Sequence, residues 1–145
     1  MDLNWVNNRI AVGAAISQED VPGIIGLGIN VIIDVTDAGD DTPLFSNFPG
    51  AHILWNPTPD DGQPKSVEWF KTSLDFALPL FIISNNKLYF HCSAGINRGP
   101  SVCYCFLRSL GFSPEDAESM IRKVRPQVEI AYKNDADLAI TALGY

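Results

Sequence analysis

The chain has 145 residues, 46% apolar and 19% charged, which suits one folded domain over residues 1–145 with a core of its own. A net charge of −7 argues against nonspecific attachment to nucleic acid or anionic lipid, and no apolar run is long enough to span a membrane. Three cysteines, an odd number, do not suggest a disulfide framework, and the N-terminus lacks the regions of a signal peptide, so reduced thiols in a cytoplasmic setting are expected.

In chain order, Arg9 to Ile16 reads as a first strand or hairpin arm. Ser17 with Asp20 resembles a capping box, opening a short helix that Gly26 and Gly28 close. The β-branched run from Asn30 to Thr36 predicts a central strand, followed by an acidic loop from Asp37 to Pro49 and a strand from Ala51 to Asn56. Pro57, Pro59, Gly62 and Pro64 mark an exposed loop. A helix follows from Lys65 to Ile83, with Val67, Phe70, Leu74, Leu78 and Phe81 at three- and four-residue steps. Lys87 to Phe90 reads as a short buried strand, and Pro100 to Leu110 as a helix with Val102, Cys103, Phe106, Leu107 and Leu110 on one stripe. Ser113-Pro114-Glu115-Asp116 opens a further helix whose stripe is Ala117, Met120, Ile121 and Val124. Tyr132, Ala136, Ala139, Ile140 and Leu143 form a last amphipathic one. Strands alternating with helices imply an α/β fold with helices on the faces of a sheet.

The densest chemistry lies between Phe90 and Pro100, in His91-Cys92-Ser93-Ala94-Gly95-Ile96-Asn97-Arg98. A cysteine in a strand-to-helix turn faces the first N–H groups of the helix, which have no partner of their own. Those donors and the positive end of the helix dipole favour a thiolate and a bound dianion alike. Gly95 is expected to let the backbone curl close to a phosphate, and Arg98 to hold two phosphate oxygens in a fork. The side chain of His91 is expected to point away and tie the loop to the body of the protein.

This run, H-C-x-x-G-x-x-R, resembles the active-site motif of the protein tyrosine phosphatase superfamily, and the short chain looks like its dual-specificity branch. The likeness extends more weakly from Trp5 to Leu143, through the strand Gly28 to Asp34 and the segment Val124-Arg125-Pro126. It implies a central mixed, mostly parallel sheet flanked by helices, and phosphate-monoester hydrolysis through a phosphocysteine. Cys92 is then the nucleophile, Ser93 to Arg98 the phosphate loop, and no cofactor or metal is called for. A carboxylic acid must protonate the leaving group from a separate loop. Asp60 and Asp61, about thirty residues before Cys92, both fit the family's pattern, with Asp60 placed first and Asp61 the alternative. The family usually follows its arginine with Ser or Thr, whose hydroxyl assists release of the sulfur. Gly99 stands here, so hydrolysis of the intermediate is expected to be slow, or assisted by a water or Ser101.

Asp34, Asp37, Asp40 and Asp41 match no metal-ligand spacing and read as a solvated loop. Cys103 and Cys105 face different directions on a helix and read as packing residues, with a redox role beside Cys92 as a minor alternative; His52 reads as structural. No lysine or second arginine stands among Ser93, Ala94, Ile96 and Asn97, which disfavours polyphosphorylated head groups. A phosphorylated protein is the expected partner, phosphotyrosine and phosphoserine or phosphothreonine alike. An RNA 5′-triphosphatase and a slow-turnover phosphate-binding module are the alternatives. The first is prompted by Gly95-Ile96-Asn97-Arg98 and opposed by the acidic composition; the second rests on Gly99.

Overall fold

The structure, a computed structural model, describes residues 1–145. Its strands are β1 (Leu3–Trp5), β2 (Ile10–Gly13), β3 (Ile29–Asp34), β4 (His52–Trp55) and β5 (Lys87–His91). Its helices are α1 (Val21–Gly26), α2 (Val67–Ile83), α3 (Arg98–Ser109), α4 (Pro114–Val124) and α5 (Lys133–Leu143). The sheet runs β1-β2-β5-β3-β4, with β1 antiparallel to β2 and every other pair parallel. This is the mixed, mostly parallel sheet implied by the sequence.

Strand alternation sorts the core into two layers. Ile10, Val12, Val31, Ile33, Leu88 and Phe90 face the larger cluster with α2, α3 and α5. Ala11, Ile29, Ile32 and Tyr89 face a smaller one with Val21 and Ile24 of α1. Because helices cover both faces, the central strands are buried on both sides and read as continuous apolar runs. Crossovers bring the C-terminal ends of β2, β3, β4 and β5 to one edge, where the segment between β5 and α3 lies. In open α/β sheets this edge is where ligands bind.

Two boundaries differ from expectation. The hairpin has a first arm, β1, that the sequence did not reveal, because three half-buried residues show no usable alternation. Helix α3 starts at Arg98 rather than Pro100. Pro100 fits within the first turn, where its missing N–H would have had no partner. The capping of α4 is as expected, with the Asp116 N–H donating to Ser113 Oγ at 3.1 Å.

Candidate active site

The shape of the loop after β5 is imposed from outside. The Cys92 carbonyl accepts from His91 Nδ1 at 3.1 Å and the Ser93 carbonyl from the Ala15 N–H at 3.0 Å. Arg125 donates from Nη2 to the Ala94 carbonyl at 2.9 Å and from Nε to the Gly95 carbonyl at 2.8 Å. The Ile96 carbonyl accepts two N–H groups, from Glu129 at 3.0 Å and Ile130 at 3.2 Å. Five successive carbonyls are therefore pinned outward. In a planar trans peptide each N–H points opposite to the preceding C=O, so the amides of Ser93 to Asn97 turn inward. None of these five amides has a hydrogen-bond partner within the protein. At the N-terminus of α3 they form a ring of donors fit for a tetrahedral oxyanion.

Cys92 sits at the base of this loop, 2% exposed. Arg98 is 6% exposed, and both protein hydrogen bonds of its guanidinium leave from Nη1, to Asp37 Oδ1 at 3.0 Å and the Thr58 carbonyl at 2.8 Å. Its Nε is buried without any partner. The fork available to an anion is thus the Nε edge, with Nη1 serving as the tether.

The glycines act differently from the sequence expectation. Gly95 has φ +70°, and a Cβ there would lie 2.5 Å from the Gly13 carbonyl carbon and 2.6 Å from Arg125 Nη2. Its missing side chain makes room for β2 and the arginine outside the loop, not for a phosphate inside it. A Cβ on Gly99 would lie 3.0 Å from the Cys92 nitrogen and 3.0 Å from the His91 carbonyl carbon, so the helix packs on the nucleophile's own backbone. Ser101 Oγ accepts the Tyr132 N–H at 3.1 Å, and no hydrogen bond joins Ser101 to Cys92.

Behind the loop, His91 is fully buried, as its supporting role requires, and its Nε2 pairs with Asp41 Oδ2. Asp34 Oδ1 is 3.9 Å from the same nitrogen and accepts the Thr36 N–H at 3.0 Å. The acidic loop is therefore not uniformly solvated. Asp34 and Asp41 are buried against His91, Asp37 holds Arg98, and Asp40 accepts from Thr42. Burial pushes the Asp34 carboxyl up to about 7, with the Asp41 charge adding and the His91 charge opposing. Burial also disfavours a charged His91, but the Asp41 hydrogen bond and the two carboxylate charges outweigh it and raise its pKa. The ligand-type atoms of Asp34, Asp41 and His91 lie within 4.8 Å of one another. His91 and Asp41 are the hydrogen-bonded pair of this cluster, Asp34 lies beside them with Oδ2 unpartnered, and Asp41 already occupies the imidazole nitrogen a metal would need.

The two candidate acids are separated cleanly. Asp60 accepts from the Tyr132 hydroxyl at 2.7 Å and, at 3.4 Å, from Asn97 Nδ2 of the phosphate loop. Asp61 is exposed, bonded to Lys65 Nζ and the Gln63 N–H, and the lysine holds its carboxyl below the usual range. Only Asp60 is joined to the phosphate loop. Cys103 and Cys105 are buried in the core, which raises both thiols, Cys105 to about 12. His52 is exposed at the start of β4, not packed.

Sequence reasoning missed Tyr132, Thr58, the part of Arg125 in shaping the loop, and the tether role of Asp37. Their partners are backbone atoms or residues distant in the chain, and no local pattern signals such contacts. One signal was open to reading: the segment Val124-Arg125-Pro126, part of the family likeness, places an arginine beside a proline at the close of the helix that follows the motif.

The architecture and the loop together define the dual-specificity type of the protein tyrosine phosphatase fold. No family model matches the sequence, and no curated protein matches it either. Solved structures do. Human DUSP28 superposes with a TM-score of 0.80 at 17% identity, over 97% of each chain. PTPMT1 in complex with PI(5)P gives 0.79 at 17% identity over all of both chains. Tk-PTP in its active form gives 0.77 at 19%, over 98% of this chain and 95% of that one.

Proposed function

We propose that the chain is a cysteine-dependent phosphate-monoester hydrolase that acts on phosphorylated proteins, phosphotyrosine and phosphoserine or phosphothreonine esters alike. The observation that carries this reading is the set of five unpartnered inward amides, Ser93 to Asn97, beside the unpartnered Nε of Arg98. A buried donor without a partner, such as Arg98 Nε, is costly, and a bound phosphate supplies an acceptor for it and for the loop amides around it. In the transition state charge spreads over the three equatorial oxygens, where these donors already point.

The reaction runs in two displacements. The Cys92 thiolate attacks phosphorus, the S–P bond forms, and the P–O bond to the leaving group breaks as Asp60 passes its proton to the ester oxygen. Water then attacks the phosphocysteine, Asp60 takes the water proton, and sulfur leaves as thiolate. His91 keeps the loop in register through the Cys92 carbonyl, and Asp37 with the Thr58 carbonyl holds Arg98 in place.

The rim favours protein substrates over polyanions. Asp37, Asp60 and Asp61 surround the site, and Lys65, the nearby cation, is engaged by Asp61 and the Pro59 carbonyl. Cys92, Cys103 and Cys105 are all free thiols, in keeping with action in a reducing, cytoplasm-like compartment.

The test is steady phosphate release from p-nitrophenyl phosphate, lost by at least ~10³-fold in Cys92→Ser. Phosphotyrosyl and phosphoseryl peptides, PI(5)P and 5′-triphosphorylated RNA are compared in parallel. Preferential turnover of the lipid or the RNA would overturn the substrate class. No turnover with any of them would overturn the hydrolase reading and leave a binding module.

A further inference from the structure

We propose that Tyr132 is a positioning residue for the general acid, holding Asp60 so that Oδ2 is the oxygen that carries the transferable proton. This rests on the reading of Asp60 as the acid. Tyr132 is 2% exposed, and its hydroxyl is fully used: it donates to Asp60 Oδ1 at 2.7 Å and accepts the Gly62 N–H at 3.1 Å. Its ring lies 4.8 Å from Lys65 Nζ, which in turn binds the Pro59 carbonyl at 2.6 Å and Asp61 Oδ1 at 3.0 Å. One side chain thus gathers the whole turn from Pro59 to Gly62.

The backbone of the same segment is tied to the nucleophile's side of the cleft. The N–H groups of Glu129 and Ile130 meet the Ile96 carbonyl, that of Ala131 donates to Asn97 Oδ1 at 3.3 Å, and that of Tyr132 to Ser101 Oγ at 3.1 Å. Four successive amides therefore dock on the phosphate loop and the first turn of α3. That run requires Ile130 at φ +51°, a left-handed conformation that a β-branched residue adopts only when its surroundings enforce it. Strain of this kind collects where geometry must be held, and here it sets the place from which Tyr132 reaches the acid loop.

The chemical consequence concerns the two carboxyl oxygens. A carboxylic acid has one O–H. Because the phenol donates to Oδ1 at 2.7 Å while Asn97 Nδ2 reaches Oδ2 only at 3.4 Å, Oδ1 is the firmly held acceptor and the proton belongs on Oδ2. Oδ2 is the oxygen directed to the phosphate loop, 3.4 Å from Asn97 Nδ2. In the first displacement the Oδ2–H bond breaks as the ester oxygen gains the proton. In the second, Oδ2 regains a proton from the attacking water. Nothing is consumed at Tyr132, whose O–H stays on Oδ1 throughout.

The experiment compares Tyr132→Phe, Asp60→Asn and the double variant on aryl phosphates of rising leaving-group pKa, with thermal melting recorded for each. Tyr132→Phe removes one oxygen and keeps the ring. The expected result is a kcat/KM loss about tenfold greater for phenyl phosphate than for an activated ester. In the double variant the leaving-group dependence should be no steeper than in Asp60→Asn alone. A uniform loss across leaving groups, or none, while Asp60→Asn steepens the dependence, overturns the role of Tyr132 and keeps Asp60 as the acid. If Asp60→Asn itself leaves the dependence unchanged, both assignments fall.

Discussion

Arg125 and Asp2 lie 123 positions apart and form a two-pronged ion pair, Nη1 to Oδ1 at 2.8 Å and Nη2 to Oδ2 at 2.9 Å. The arginine side chain is 1% exposed and the aspartate 61%, so the carboxylate is the solvent-side cover of a buried cation. An unpaired buried guanidinium would be costly. Neutralised by Asp2 and bonded to Asn4 Oδ1 at 2.9 Å, it keeps Nε and Nη2 for the Gly95 and Ala94 carbonyls. The contact joins β1 and the residue before it to the loop after β5.

Arg125→Lys, which keeps the charge but loses the planar fork, is expected to destabilise the protein by about 2–4 kcal/mol. The carbonyls of Ala94 and Gly95 would then be released, and kcat should fall at least tenfold. Asp2→Asn keeps the shape of the pair but removes the charge that neutralises the buried cation, and should cost about 1–3 kcal/mol, less than Arg125→Lys, because Asp2 itself faces solvent. Urea denaturation and steady-state kinetics check both. Wild-type kinetics in Arg125→Lys would show that the loop does not depend on this grip.

Two glycines with nearly equal φ separate conformational cost from crowding. Gly95 at φ +70° has backbone atoms of Gly13 at 2.5 and 2.7 Å from a would-be Cβ, whereas Gly62 at φ +71° has nothing within 4 Å. Gly62→Ala should cost only the left-handed penalty, about 1 kcal/mol. Gly95→Ala should cost ~3 kcal/mol or more, since backbone must shift, and should abolish turnover. Equal melting temperatures for the two variants would refute the crowding argument.

The buried Asp34–His91–Asp41 cluster makes stability fall with rising pH. Asp34 titrates at about 7 when folded against an ordinary 3.8, so the folded state holds an extra proton between those values. Its stabilising effect is complete below pH ~4 and is lost as pH rises towards ~7. His91, also raised, adds stability present below its ordinary 6.5 and lost as pH passes its folded pKa. Asp2, Asp61 and Glu118, held low by Arg125, Lys65 and Lys133, act oppositely, losing their contribution only as pH drops below ~4. Melting temperature should therefore peak near pH ~4 to ~5 and decline towards pH 8. Asp34→Asn, neutral at every pH, should flatten that decline; an unchanged slope would place the titration elsewhere.

The sequence made the fold legible wherever one element imposed its own periodicity. The β-branched run at Val31 to Ile33, the three- and four-residue steps of α2 and the Ser113 cap of α4 are local signals, and each corresponds to an element. At the site, Cys92, Arg98 and the loop between them are legible because nucleophile, donors and cation are consecutive in the chain. What orients them is not. Arg125, Asp37, Thr58 and Tyr132 act through contacts thirty or more positions apart, half of them to backbone oxygens that any residue presents. Asp60 and Asp61 are adjacent and chemically alike, so only the position of Tyr132 distinguishes them. The burial of Asp34 and Asp41 was hidden for the same reason: an acidic run looks solvated until His91 is seen beneath it.

Gly99 sets the expected kinetics of the second displacement. No side-chain hydroxyl stands at this position, Ser101 Oγ accepts the Tyr132 N–H and makes no hydrogen bond with Cys92, and sulfur leaves the phosphocysteine without a hydroxyl held against it. Dephosphorylation should then be slower than phosphorylation with activated esters. Rapid mixing with p-nitrophenyl phosphate should show a burst of nitrophenolate approaching one equivalent per enzyme, followed by slow turnover. Gly99→Ser supplies the hydroxyl, but its Cβ falls 3.0 Å from the Cys92 nitrogen, tight enough to push on the nucleophile's backbone. That variant should lose about 1–3 kcal/mol of stability and show a smaller burst amplitude without faster steady turnover. A wild-type trace with no burst would show that sulfur departure is not limiting and that the missing hydroxyl has no kinetic consequence.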